Sequence, residues 1–84
     1  MSAIEWKGVD EAGFRCGFYA ERSSVYRVRI AIPELIKPRK WPSYKVFVQG
    51  KVVGEKADLN SAMNFAEAFF ERGLHRSLKP PSWN

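Results

Sequence analysis

Through the N-terminal two thirds of the chain, apolar and polar residues alternate. From Leu59 the apolar spacing changes to three and four. Residues 3–7 read as a short strand, ended by Gly8 and a polar turn at 9–13. In 14–20, Phe14, Cys16, Phe18 and Ala20 occupy one parity and Arg15, Gly17 and Tyr19 the other. After a turn at 21–24, residues 25–32 alternate more cleanly, with Tyr26, Val28, Ile30 and Ile32 set against Arg27, Arg29 and Ala31. A period of two is the signal of a half-buried strand. Residues 33–43 contain Pro33, Pro38 and Pro42 and cannot be regular sheet. There Leu35 and Ile36 are expected to fold back onto the core. Residues 44–49 resume the alternation, with Tyr44, Val46 and Val48 against Lys45, Phe47 and Gln49. Gly50 and Lys51 suit a two-residue hairpin turn, with a return strand over 52–56.

Asp58 is a helix N-cap candidate, and Leu59, Ala62, Met63, Ala66, Phe69 and Phe70 form one apolar stripe. Asn60, Ser61, Asn64, Glu67 and Glu71 lie opposite it. Gly73 is placed to end the helix in a left-handed conformation. The remainder, with Pro80 and Pro81, is expected to be an extended tail. The pattern predicts an α+β fold: an antiparallel β-meander of four to five strands with one C-terminal α-helix packed on one face, a two-layer sandwich. Residues 1–76 would form the single domain and 77–84 an extended or flexible tail.

The helix stripe needs an apolar sheet face, which Phe14, Phe18, Tyr26, Val28, Ile30, Val46 and Val48 are expected to supply. Arg15, Tyr19, Arg27, Arg29, Lys45, Phe47 and Gln49 then fall on the face that meets solvent. Phe47 would sit opposite Gly54 in this hairpin and cover it.

Composition bounds the function. At 84 residues, 45% hydrophobic and 27% charged, the chain is long enough for one small core, with little room for an enclosed substrate pocket. One cysteine, Cys16, excludes an intrachain disulfide. The N-terminus carries charges where a signal peptide needs an apolar run, and no apolar stretch is long enough to span a bilayer. The expectation is a soluble protein of the reducing cytoplasm, with no membrane partner.

Charge sharpens the picture. Residues 22–51 hold eight cations against the single acid Glu34, although the whole chain has a net charge of only +5. Tyr26, Trp41, Tyr44 and Phe47 are threaded through the same stretch. The parities place Arg15, Arg27, Arg29 and Lys45 on the open face beside Tyr19 and Phe47. The loop adds Lys37, Arg39, Lys40 and Trp41 at one edge. Sheets that bind single-stranded nucleic acid combine rings that stack on bases with cations that neutralise phosphates. A plainer alternative stands beside this: a wet sheet face carries long charged side chains without binding anything. The helix, with Glu67 and Glu71 exposed, is not suited to entering a groove lined by phosphates.

The run YKVFVQGKVVGEKADLNSAMNFAEAFF, within residues 44–74, resembles the last strand pair and helix of a double-stranded-RNA-binding domain. The resemblance covers about a third of the chain and implies nucleic acid as partner. That family's lysine cluster at the helix start is replaced here by Asp58, Leu59 and Asn60, and its first helix has no counterpart. The same ending is similar to plant-type and integrase-type DNA-binding domains of three strands and a helix.

No motif for catalysis appears. The one histidine, His75, follows the helix and reads as a surface residue or a helix C-cap partner. Cys16 reads as a small buried hydrophobe. Together they are too few for a zinc site. Glu67 and Glu71 read as a solvated helix face, and the glycines lack dinucleotide- or phosphate-loop spacing. No enzyme activity, metal or cofactor is expected. Trp83 in the tail would anchor a partner groove or pack on its own domain. The function expected is a small basic binding protein that contacts RNA or DNA through the open face and the 33–43 loop. The alternative is an inhibitor or adaptor that binds an acidic protein surface, of the type phages and mobile elements direct at host defence complexes. An exposed sheet edge also leaves room for a homodimer.

Overall fold

The computed structural model describes residues 3–38 and 41–78. Five strands, β1 (Glu5–Val9), β2 (Phe14–Glu21), β3 (Ser24–Ala31), β4 (Tyr44–Val48) and β5 (Lys51–Lys56), precede α1 (Leu59–Glu71) and a 3-10 turn at Leu74–Leu78. The strands form one antiparallel sheet in the order β1-β2-β3-β4-β5, and α1 packs against it on one face. The α+β two-layer fold expected from the pattern is the fold observed. Among the described residues no helix is long and apolar enough to cross a membrane.

The core lies between the helix and the middle strands. Val28, Ile30, Val46 and Val48 are fully buried against Ala62, Ala66 and Phe70. Each such side chain contributes about 1.5–3 kcal/mol by leaving water. Asp58 caps the helix as expected, accepting from the Ser61 N–H at 2.8 Å. Gly73 follows the helix end at φ 73, its N–H donating to the Phe70 carbonyl at 3.0 Å.

Several local expectations change. The β4–β5 turn is Gln49 and Gly50, with Val48 opposite Lys51, so it sits one residue earlier than the glycine-lysine reading. Both turn residues have positive φ, 54° and 82°, the twist that two-residue hairpins favour. A bulge then leaves Phe47 opposite Val52, and Gly54 opposite Val46. Gly54 therefore faces the helix, where the Phe65 ring fills the space a side chain would need. It is Phe65 and not Phe47 that covers this glycine. In the Pro-rich loop Ile36 is buried, at 7% exposure, whereas Leu35 stays 51% exposed. Leu74–Leu78 is helical instead of extended, and Leu78 packs on the core. Residues 79–84, Trp83 among them, lie outside the described residues.

The largest correction concerns β2. Tyr19 pairs with Tyr26, Gly17 with Val28, and Arg15 with Ile30. Paired residues share a face, so Arg15, Gly17 and Tyr19 lie on the helix side. Phe14, Cys16 and Phe18 lie on the open side, the reverse of the sequence expectation. The cause is packing. Trp6 and Ile4 lie over Gly17 so closely that a Cβ there would meet Trp6 Cε3 at 2.8 Å. Trp6 is held in place by Glu67, which accepts from its indole N–H at 3.0 Å. Glu67 is thus a strand-to-helix tie and not a solvated acid. Tyr19 stacks on Phe70, with ring centroids 4.2 Å apart and planes 21° apart. Two bulky groups, Trp6 and Tyr19, fill the helix side of β2, and Phe14 and Phe18 are turned outward.

Candidate functional site

With the helix on one side, the other side of the sheet shows two zones. The first lies beside the Pro-rich loop. There Phe14, Trp41 and Phe47 form a ring cluster: Phe14–Phe47 centroids are 5.9 Å apart, Trp41–Phe47 5.8 Å and Phe14–Trp41 6.5 Å. Edge-on and tilted contacts of this kind suit the ring quadrupoles. The Arg29 guanidinium lies 4.0 Å above the Phe14 ring and donates to Asp10 Oδ2 at 2.8 Å. Asp10 also accepts from the Ala12 and Phe14 N–H groups at 3.0 and 2.9 Å, which closes the β1–β2 turn. Burial pushes the Asp10 carboxyl up, but the Phe14 N–H, the Arg29 guanidinium and the Cys16 thiol together hold it below the ordinary aspartate value. Lys45 pairs with Glu55 at 3.3 Å. The Ser43 hydroxyl, and then Lys45, hold the Glu55 carboxyl low.

The second zone lies toward the β2–β3 turn. Phe18 and Arg27 are cross-strand partners there, and both are exposed. The Arg27 N–H donates to the Gln49 side chain at 2.7 Å, and no acid among the described residues pairs with the guanidinium. Phe18 is 38% exposed and Val25 55%, so this zone sets apolar surface beside the Arg27 charge.

Of the residues expected to act, the open face brings together Arg27, Arg29, Lys45 and Phe47, with Trp41 at its edge. Lys37 is exposed on the adjacent loop. Arg39 and Lys40 lie outside the described residues. Arg15 and Tyr19 belong to the other side of the sheet. Sequence reading missed Phe14 and Phe18, which the open face gains, and the acids Asp10 and Glu55, which engage two of its cations. One signal could have found the rings. A hairpin that closes over residues 21–24 without a bulge puts Tyr19 opposite Tyr26, and Tyr26 already belonged to the helix side.

His75 is corrected as well. It is fully buried, with its ring 4.9 Å from Tyr26, 5.0 Å from Phe70 and 5.1 Å from Tyr19. Its Nε2 lies 2.5 Å from Glu21 Oε1, and Arg76 Nε lies 3.6 Å from Glu21 Oε2. The hydrogen bond with His75 holds the Glu21 carboxyl below its ordinary value. Burial, then the Glu21 charge, pushes the Tyr19 phenol up. This cluster locks the 3-10 turn against β2. Cys16 lies across the sheet from it, on the open face, so the two residues do not meet. Among the described residues no three His, Cys, Asp or Glu side chains converge.

No protein-family model matches the chain, and neither the curated proteins nor the solved structures return a match. The functional reading therefore stands on the geometry alone.

Proposed function

We propose that this protein binds single-stranded nucleic acid across the open sheet face, with the Pro-rich loop flanking it. The observation that carries the reading is the Phe18–Arg27 pair: an exposed ring and an exposed guanidinium with no acidic partner among the described residues, side by side on the uncovered face. Bases stack on such a ring while the cation takes a phosphate. Arg27 and Lys37 are the phosphate contacts, with Arg39 and Lys40 following Lys37 in the chain. Arg29 and Lys45, engaged by Asp10 and Glu55, chiefly orient the ring cluster. Arg15 and Tyr19 take no part.

Salt and charge reversal test this directly. Binding of a single-stranded oligonucleotide weakens linearly in log–log terms as salt rises, with a slope near 0.7 per phosphate contacted. Arg27→Glu combined with Lys37→Glu lowers both the affinity and the slope, and Phe18→Ala costs about 1–3 kcal/mol of stacking. Unchanged affinity and slope in the folded double variant would exclude this face. A protein partner is the second reading, favoured by the exposed Phe18 and Val25 beside Arg27. An inhibitor or adaptor of that kind brings down one defined protein complex in a pull-down, and nuclease does not release it. A nucleic-acid binder purifies at low salt with a raised 260/280 nm absorbance ratio that nuclease removes.

A further inference from the structure

We propose that the groove between the β1–β2 turn and the Pro-rich loop is a pocket for one unpaired nucleotide, its base against Trp41 and its phosphate toward Lys37. The proposal rests on the nucleic-acid reading above and adds to it a site and a base preference. The groove has a volume of about 420 Å³ and is lined by Glu11, Phe14, Leu35, Ile36, Lys37 and Trp41 among others. That lies within the range of small-ligand sites, about 300–1,000 Å³.

Its walls are set before any ligand arrives. Gly13, at φ 93, sits so close to the loop that a Cβ would meet the Leu35 carbonyl carbon and oxygen at 2.9 Å. The Ile32 N–H donates to the Gly13 carbonyl at 3.0 Å, and Ile36 is buried beneath. Turn and loop are thereby pinned to each other. Leu35 is left half exposed at the lip, facing the same groove as the Trp41 indole. Phe14 belongs both to this groove and to the ring cluster of the open face, so the groove opens at the end of the proposed strand path.

The two charges in the lining decide the class of occupant. Lys37, from the loop, supplies a cation to the lining and Glu11, from the turn, a carboxylate. A fitting ligand has a flat apolar body, an anionic group and an N–H donor. A nucleotide whose base carries an exocyclic amine has all three. Adenine and cytosine present that amine free at a base edge, whereas the one N–H of an unpaired thymine lies between two carbonyl oxygens that a carboxylate would meet. Glu11 therefore favours the amine-bearing bases.

The test is a titration of the isotopically labelled chain with octamers of dA, dC and dT, read by amide shifts and by affinity. Expected are shifts at Glu11, Ala12, Leu35, Ile36 and Lys37 and at the Trp41 indole, with dA and dC bound roughly tenfold or more tighter than dT, the scale of one charge-assisted hydrogen bond. Glu11→Ala, an exposed turn position, collapses that ratio while strand binding persists. Shifts confined to the Phe18–Arg27 zone, or equal affinities for the three octamers, overturn the pocket and leave the proposed function standing. No binding by any octamer overturns both. A groove that responds to an acidic phenylalanine-containing peptide and to no octamer assigns its occupant to a protein and overturns the proposal.

Discussion

Two adjacent substitutions in β2 decide which side of the sheet meets the helix. Gly17 faces the helix layer, and a Cβ there would meet Trp6 Cε3 at 2.8 Å and Ile4 Cγ2 at 2.9 Å. Both distances are below any relaxed carbon–carbon contact. Trp6 cannot simply swing away, because its indole is bonded to Glu67 on the helix. Gly17→Ala is therefore an overpacking change, expected to cost about 1–3 kcal/mol. In a chain of this size that lowers the midpoint of thermal unfolding by roughly 4–24 °C. Phe18, the next residue, is already 38% exposed on the other face. Phe18→Ala is expected to cost about 1 kcal/mol, well under the 3–5 kcal/mol of a core phenylalanine. Equilibrium unfolding in urea measures both. The opposite facing reverses the order. Gly17→Ala would then gain stability, by about 0.4–1 kcal/mol from a stiffer unfolded chain, and Phe18→Ala would be severe. A neutral or stabilising Gly17→Ala together with a large loss for Phe18→Ala would refute the assignment, and with it the placement of Phe18 in the interface.

Two further outcomes follow from the buried and paired groups. His75→Ala empties a site enclosed by Tyr19, Tyr26 and Phe70 and leaves Glu21 without its imidazole partner, so unfolding in urea should show a loss on the order of 3 kcal/mol; a loss below about 0.5 kcal/mol would contradict the buried placement. The Asp10 and Glu21 carboxyls are both held below their ordinary values in the fold, so their contribution is present above the unfolded-state range near about 4 and is lost as pH falls through the lower folded values. Stability measured against pH should therefore decline on the acid side, and Asp10→Asn should flatten part of that decline; an identical acid limb in the variant would remove Asp10 from the account.

Much of the fold was legible because its signals are local. The alternation in 25–32 and 44–48 needed no partner to interpret: one parity is wholly apolar, so only one facing buries it. The spacing from Leu59, the cap at Asp58 and the stop at Gly73 likewise depend on neighbours within a turn or two. β2 was different. Phe14, Cys16 and Phe18 make one parity apolar, while Gly17 and Tyr19 make the other nearly as good a lining. Alternation within β2 alone cannot choose between two such faces. The unbulged hairpin, which sets Tyr19 opposite Tyr26, points to the choice, and Trp6 on an edge strand and Phe70 on the helix fix it.

The candidate site was legible to the same degree. Arg27, Arg29, Lys45 and Phe47 could be placed because β3 and β4 read unambiguously. That Arg29 and Lys45 are engaged could not be seen, since Asp10 and Glu55 reach them only through strand register. His75 shows the same limit. A lone histidine just past a helix has no pattern around it, and its burial depends on three rings and an acid brought in by β2, β3 and α1. The chain by itself determined the element types, the central core and the concentration of positive charge in its middle, because these follow from spacing and composition. Tertiary structure alone decided which rings face outward, which cations lack an acid partner and where a groove forms. Those properties belong to pairs of residues distant in sequence, and only the register of the sheet and the docking of the helix bring such pairs together.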